Sequence, residues 1–414
     1  MRVSAKSVIA AGAFASLASA SENYLGFNSG ATKADNSAKF KADFVEEFQA
    51  GQNLKGAPGK FDAVRLYTNI QAYSTSDPIQ AFDAAVETKT KLLLGIWASG
   101  TANIDNEMAA LKSGLATHGQ ALADLIIGVS IGSEDLYRVS ATGLANDPTS
   151  VGAGPDTIVS FINAFKQNFA GSAIASVPIG HVDTSDAWAN GTNKAVIDAV
   201  DWLGVDEYPY YENGKNNVIQ NSGSLFDTAF DATVAAAGGK PVWVTETGFP
   251  YTGITWGDAV PSVANAQLYW QQIGCRRLFG KVPTFWYDLA DGNSANQQSF
   301  AITDNLSTTP RFNLTCPENL EDATSTSSSS PASTATGFHN TTATGAVKPT
   351  AAGSGSASQT GSASPSGSGS SASGSGSQGS SSSTSPIPQS GAASLTMMGA
   401  TFAVALFGAT LALF

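Results

Sequence analysis

The chain has 414 residues and a formal net charge of −12, with only 13% of its residues charged. An acidic balance of this size excludes functions that depend on gripping phosphate backbones, so no nucleic-acid partner is expected. Two cysteines and three histidines supply no metal-ligand spacing, and neither a metal nor a cofactor is expected.

Residues 1–20 read as a secretory signal peptide. Arg2 and Lys6 precede an apolar stretch from Val8 to Leu17, and Ala18-Ser19-Ala20 offers small residues for cleavage. The stretch is too short for a membrane span, so the mature chain is expected to begin near Ser21.

Residues 21–322 alternate strand-like and helix-like patterns. Tyr24–Phe27 is a short candidate strand ending at Asn28, and Lys39–Gln49 reads as a helix with Phe40, Phe44 and Phe48 on one face. Ala63–Tyr67 is the second strand, after which Asp77-Pro78 supplies a helix cap and a first-turn proline. Lys91–Trp97 is the third, followed by a helix carrying Met108, Leu111 and Leu115. The fourth, Leu125–Ile131, runs into Gly132-Ser133-Glu134-Asp135. Pro155 then opens a helix whose Ile158, Phe161, Ile162, Phe165 and Phe169 form a core stripe. A weaker fifth strand, Ile174–Val182, is interrupted by Pro178, and the sixth, Ala199–Asp206, leads into Glu207-Tyr208-Pro209-Tyr210-Tyr211. A helix with Leu225, Phe226 and Phe230 stops at Gly238-Gly239. In the seventh strand, Pro241–Thr245, Val242, Trp243 and Val244 suit a packed pleated surface. Glu246 follows, just before the break at Gly248 and Pro250. Val263–Phe279 is the last long helix and Val282–Tyr287 the eighth strand.

Strands separated by helices must pair in parallel, and eight of them fit an α/β fold of one closed (β/α)8 TIM barrel. Such barrels place their chemistry at the C-terminal strand ends. Glu134 and Glu246 stand there, at the ends of the fourth and seventh strands. An ionised carboxylate beside a buried strand is costly unless paired or used. Two of them suit glycoside hydrolysis, in which one protonates the leaving oxygen while the other attacks or activates water. Equivalent ends carry Asn28, Arg65, Tyr67, Trp97, His181, Asp183, Tyr208, Trp286 and Asp288. The aromatics among them could pack on the C–H faces of sugar rings, and Tyr208 is expected to hold Glu246 by a hydrogen bond.

Cys275 and Cys316, an even pair in a secreted chain, are expected to be bonded. Asn190, Asn305, Asn313 and Asn340 are N-glycosylation acceptors by their Asn-x-Ser/Thr pattern. Residues 323–390 are almost all Ser, Gly, Thr, Ala and Pro, with Lys348 the only formal charge. That composition cannot offset its ordering entropy and predicts a disordered, O-glycosylated stalk. Residues 391–414 read as a glycolipid-anchor signal. Small residues from Ser390 to Ala393 precede an apolar run from Leu395, and attachment is expected at Gly391, with Ser390 the alternative. The mature protein would then sit on the outer leaflet of the plasma membrane and in the cell wall.

Four stretches carry a resemblance over residues 22–316: Val244-Thr-Glu-Thr-Gly-Phe-Pro250, Gly132-Ser-Glu-Asp135, Val64-Arg-Leu-Tyr67 and Asp206-Glu-Tyr-Pro-Tyr210. The sequence is similar to the family 17 glycoside hydrolases, and within them to the fungal wall-associated endo-β-1,3-glucanases. The resemblance implies a barrel with Glu134 as acid/base, Glu246 as nucleophile, net retention, and β-1,3-glucan as substrate. Asn28, Arg65, Tyr67, Ser133, Asp183, Tyr208, Phe249 and Trp286 are the substrate-binding candidates. Ser133 stands where many barrels of this clan carry an Asn that contacts the sugar 2-hydroxyl, and Phe249 where many plant members carry Trp or Tyr. A monomer is expected. Two alternatives stay open: a β-1,3-glucan glucanosyltransferase on the same scaffold, or a glucan-binding structural wall protein.

Overall fold

The computed structural model describes residues 23–292 and 297–320. The signal peptide, the Ser/Thr-rich segment, Asn340 and the apolar run with Gly391 lie outside the described residues.

Eight parallel strands close into a barrel in chain order. They are β1 (Leu25–Ser29), β2 (Ala63–Leu66), β3 (Lys91–Ile96), β4 (Ile126–Ser133), β5 (Ile179–Thr184), β6 (Trp202–Asp206), β7 (Val242–Glu246) and β8 (Thr284–Trp286). β8 pairs with β7 on one side and with β1 on the other, which closes the ring. The main helices that cross between them are α1 (Lys41–Gln52), α2 (Ala81–Thr88), α3 (Asp105–His118), α4 (Pro155–Asn168), α5 (Lys194–Ala199), α6 (Ser222–Ala237) and α7 (Val263–Tyr269).

Several expected elements are bounded differently: α2 starts at Ala81 with Gln80 at its N-cap, not at Asp77-Pro78, and β6 starts at Trp202 because Ala199 still belongs to α5; three others differ for a local reason. The fifth strand starts at Ile179 rather than Ile174, because Pro178 has no N–H to give a ladder; its carbonyl instead accepts from Val129 N–H and Trp202 Nε1. α1 begins after Phe40, whose own N–H donates to the Asp43 carboxylate, so Phe44 and Phe48 are buried while Phe40 is exposed. α7 widens at Trp270 into a π-helical segment, Trp270–Leu278, closed by Phe279 N–H donating five residues back to Gly274. The α4 stripe is core throughout, as its spacing requires.

Strand alternation divides the barrel wall into an outer layer against the helices and an inner layer. Low in the barrel the inner layer is apolar: Ala63, Leu93, Val182, Trp202, Trp243 and Phe285 form one cluster. Trp202 and Trp243 stack with centroids 4.3 Å apart. Gly180 makes room for this floor, since a Cβ there would lie 2.3 Å from the Trp202 ring. Above the floor the same inner positions turn polar, with Asn28, Arg65 and Asp206, all buried. At the mouth, a two-residue antiparallel pair, Thr252–Gly253 with Gln298–Ser299, ties the segment after β7 to the segment after β8.

Cys275 and Cys316 are joined, with a Cα–Cα distance of 5.4 Å. A bridge closing a loop of this length stabilises by about 4 kcal/mol in the chain-entropy account. It pins the residues after the barrel to the end of the π-helical segment.

Candidate active site

Both glutamates stand just beyond a register shift. The β4–β5 ladder slips between Ser130 and Ser133, and the β6–β7 ladder slips between the Val205 and Asp206 pairings. Such shifts re-aim the next side chain, and without the β7 shift Glu246 would follow Val244 to the outer layer. Glu134 reaches its place through a left-handed backbone, φ 55° and ψ 25°, a conformation that costs a non-glycine residue roughly 1–2 kcal/mol. Gly132 permits the approach, because a Cβ there would fall 2.4 Å from Asp135 Oδ2.

Glu246 is clasped. Its Oε1 accepts from Arg65 Nη1 at 2.6 Å and from the Tyr67 hydroxyl at 2.6 Å, and its Oε2 from the Tyr208 hydroxyl at 2.8 Å. Arg65 is itself fixed. Nη1 donates to Asn28 Oδ1 and Nη2 to Ser133 Oγ, both at 2.9 Å, with Asp206 Oδ2 3.9 Å from Nη2. Burial opposes the guanidinium charge, but Asp206 and Glu246 outweigh it and raise its pKa above the ordinary value. The Asn28 amide in turn donates to the carbonyls of Thr245 and Phe285, so β1, β7 and β8 hold one another at this level.

Glu134 is held differently. Arg138, one helical turn on, stands beside it with Nη2 3.5 Å from Oε2. Oε1 is buried without a hydrogen-bond partner. Burial pushes its pKa up to about 8; Arg138 pulls it down, while Glu246 and Asp183 push it further up. A carboxyl so placed stays protonated at neutral pH and can give its proton away.

Of the substrate-binding candidates, Asn28, Arg65, Tyr67, Ser133 and Tyr208 form the lattice around Glu246. Three are placed elsewhere. Asp183 lies on the outer side of β5, where its carboxylate accepts from Leu136 and Tyr137 N–H and from His181 Nε2; it caps the short helix Asp135–Arg138. Phe249 is buried against Tyr210 and Tyr269. Trp286 is buried among Trp270, Phe279 and Tyr269. Both aromatics are packing residues, because each faces the helical layer and not the mouth. Tyr287 takes the place expected of Trp286: it is half-buried and meets Tyr208 and Phe300 edge-on. Strand parity is the signal that finds it, since Phe285 is in the inner cluster and Tyr287 shares its face.

Trp97 is half-buried beside the site, with the Arg138 guanidinium 5.4 Å over its ring. Arg138 and Ser99 are absent from the sequence candidates; the four-residue interval from Glu134 to Arg138 is the available clue. Asp288 is buried with its carboxyl pushed well up by burial and by Glu47. Asn190, Asn305 and Asn313 are all exposed. Among the described residues, no three His, Cys, Asp or Glu side chains gather as a metal site, and no helix is long and apolar enough to cross a membrane.

Residues 26–303 match the model of a family described as the BtgE/BtgC glycoside hydrolase domain. The chain is 49% identical over 315 residues to a probable glucan endo-1,3-beta-glucosidase of Aspergillus oryzae, covering 76% of this chain and 67% of that one. The Aspergillus niger protein of the same name is 49% identical over 302 residues, covering 72% and 65%. This chain thus spans about two thirds of the length of these relatives. A glucan 1,3-beta-glucosidase of Candida albicans is 31% identical over 226 residues, covering 52% and 70%. In fold, the chain is similar to a glycoside hydrolase family 17 beta-1,3-glucanosyltransferase from Rhizomucor miehei, with a TM-score of 0.56 at 22% identity, covering 70% of this chain and 99% of that one.

Proposed function

The chain belongs to the BtgE/BtgC glycoside hydrolase family, and from that premise we propose that it hydrolyses internal β-1,3 linkages of glucan with retention. The observation that carries the mechanism is the unequal setting of two buried carboxylates at one barrel mouth: three donors on Glu246, and one distant cation beside Glu134. Three donors aim Glu246 and stand ready to stabilise the charge a nucleophile carries. Glu134, protonated, is the acid.

In the first step a Glu246 oxygen bonds to the anomeric carbon as the glycosidic C–O bond breaks, and the Glu134 proton passes to the departing oxygen. In the second, Glu134 takes a proton from water, the water oxygen bonds to the anomeric carbon from the opposite face, and the ester to Glu246 breaks. Arg65, Tyr67 and Tyr208 then receive back the charge on Glu246. Tyr287 and Trp97, half-buried at the mouth, are the surfaces on which a sugar ring would pack.

Chromatography of products from a soluble β-1,3-linked oligosaccharide tests this. Shorter products with the β-anomer formed first are expected. Longer products would mean transfer to an acceptor sugar, and unchanged substrate would mean binding alone; either result overturns the hydrolytic reading.

The setting of the enzyme is part of the proposal. The composition of residues 1–20 supports secretion, that of 323–390 a glycosylated stalk, and the small residues before the apolar run from Leu395 a glycolipid attached at Gly391 or Ser390. The barrel would act as a monomer at the cell surface and in the wall, with Asn190, Asn305, Asn313 and Asn340 available for glycans. Phosphatidylinositol-specific phospholipase should release it from membranes. Recovery of peptides from 395–414 in the membrane-extracted protein would contradict the anchor.

A further inference from the structure

We propose that Arg138 is the positioning residue that sets the proton affinity of Glu134, so that one carboxyl can serve as acid and then as base within a turnover. The inference rests on the reading of Glu134 as the acid/base.

Arg138 is buried, and its placement is fixed from three sides. Nη1 donates to Ser99 Oγ at 2.5 Å and to the Ser133 carbonyl at 2.6 Å, and the guanidinium lies over Trp97. Ser99 also donates to Asp135 Oδ1 at 2.6 Å, while Asp135 Oδ2 accepts the Ser133 N–H at 2.9 Å. The frame therefore spans the residues just after β3, the end of β4 and the short helix after it. From this frame Nη2 stops 3.5 Å short of Glu134 Oε2, too far for a strong hydrogen bond yet well inside the range at which a charge acts. A direct charge-assisted hydrogen bond from the guanidinium would favour ionised Glu134; a held-off cation lowers its proton affinity without fixing its state.

The other groups facing Glu134 mostly push the opposite way. Asp183 stands on β5, Glu246 on β7 and Asp206 on β6, with Arg65 on β2 the second cation. Asp135 and Tyr137 flank it on its own helix, His181 on β5 pairs with Asp183, and Tyr211 follows β6. When Glu246 becomes an ester in the first step, one of these negative charges disappears. The pull of Arg138 then counts for more, and Glu134 gives up its claim on a proton in time to act as base.

The test is the pH profile of hydrolysis of the natural linkage. Arg138→Met should move the alkaline limb of kcat/KM upward by about 1 pH unit or more. With an aryl glycoside, whose leaving group needs no acid, the same variant should lower kcat and KM together, because the glycosyl-enzyme accumulates. Arg138→Lys, which keeps the charge, should leave the limb where the natural chain has it. A folded Arg138→Met whose limb has not moved, or whose activity falls equally at every pH, overturns the proposal. Should that variant not melt as a native protein, Ser99→Ala decides. It releases the guanidinium from the frame that holds it short of Glu134 and should move the limb downward as the cation closes on Oε2, and no movement overturns the proposal. Glu134→Gln separates the two ideas. If it retains full activity on the natural linkage, the acid/base reading fails; if it is inactive and the Arg138→Met limb is unmoved, only the role of Arg138 fails.

Discussion

The ends of β4 and β7 carry the same side chain and treat it in opposite ways. At β7, Glu246 receives three hydrogen bonds from Arg65, Tyr67 and Tyr208. At β4, Glu134 has a buried oxygen with no partner and a cation held 3.5 Å away. Both carboxylates are buried. What separates them is the count of donors, and these come from other strands, two from the end of β2 across the barrel and one from the end of β6 beside it, not from the motif around each glutamate. A carboxylate's task is thus decided by the far side of the barrel.

The comparison breaks most severely if either carboxyl is replaced. Glu246→Gln and Glu134→Gln should each lower kcat/KM on β-1,3-glucan by about 1,000-fold or more with the fold intact. Azide should then tell the two ends apart. Added to a Glu246→Ala variant with an activated substrate, it should give the inverted glycosyl azide, and to Glu134→Ala the retained one. The same anomer from both would erase the distinction.

Removing one donor at a time sharpens the comparison. Tyr208→Phe and Tyr67→Phe each delete one hydrogen bond to a buried anion, a loss of about 1.5–3 kcal/mol. Activity should fall by roughly 10–100-fold in each, and the double variant should lose less than the product of the singles if the donors act as one clasp. Activity within twofold of the natural chain would show that the clasp has no catalytic weight.

The smallest effect is on stability. The folded-state pKa of Glu134 is raised to about 8, above the unfolded value of about 4.3. Its contribution to stability is therefore full below about pH 4.3 and is lost as pH climbs towards 8. Gln does not titrate. Glu134→Gln should therefore melt higher than the natural chain at pH 7, by about 1 kcal/mol or more, and no higher at pH 4. An equal difference at both pH values would show that Glu134 is not held protonated.

Much of this was legible in the sequence. Eight apolar runs separated by helical spacings were enough for the barrel, and two glutamates at run ends were enough to suggest glycoside hydrolysis. Tyr208 could be paired with Glu246 because β6 and β7 are neighbours in any closed barrel of this order. What could not be read was parity at the mouth. Trp286 and Phe249 look like sugar platforms by type but face the helices, and Tyr287 was passed over although the alternation from Phe285 points to it. Asp183 looked like a site residue by strand end, yet the N–H groups of Leu136 and Tyr137 claim it. Nor does sequence disclose the register shifts just before Glu134 and Glu246; those depend on how neighbouring strands slip, a property of pairs.

The most direct test is to trap the covalent intermediate. A 2-deoxy-2-fluoro β-1,3-linked glucosyl fluoride slows the second step more than the first, so the sugar stays on whichever residue attacked. Digestion and mass mapping should find it on Glu246, within the peptide containing Val242–Phe249. Sugar on Glu134, or on any residue other than Glu246, would contradict the assignment of the two roles.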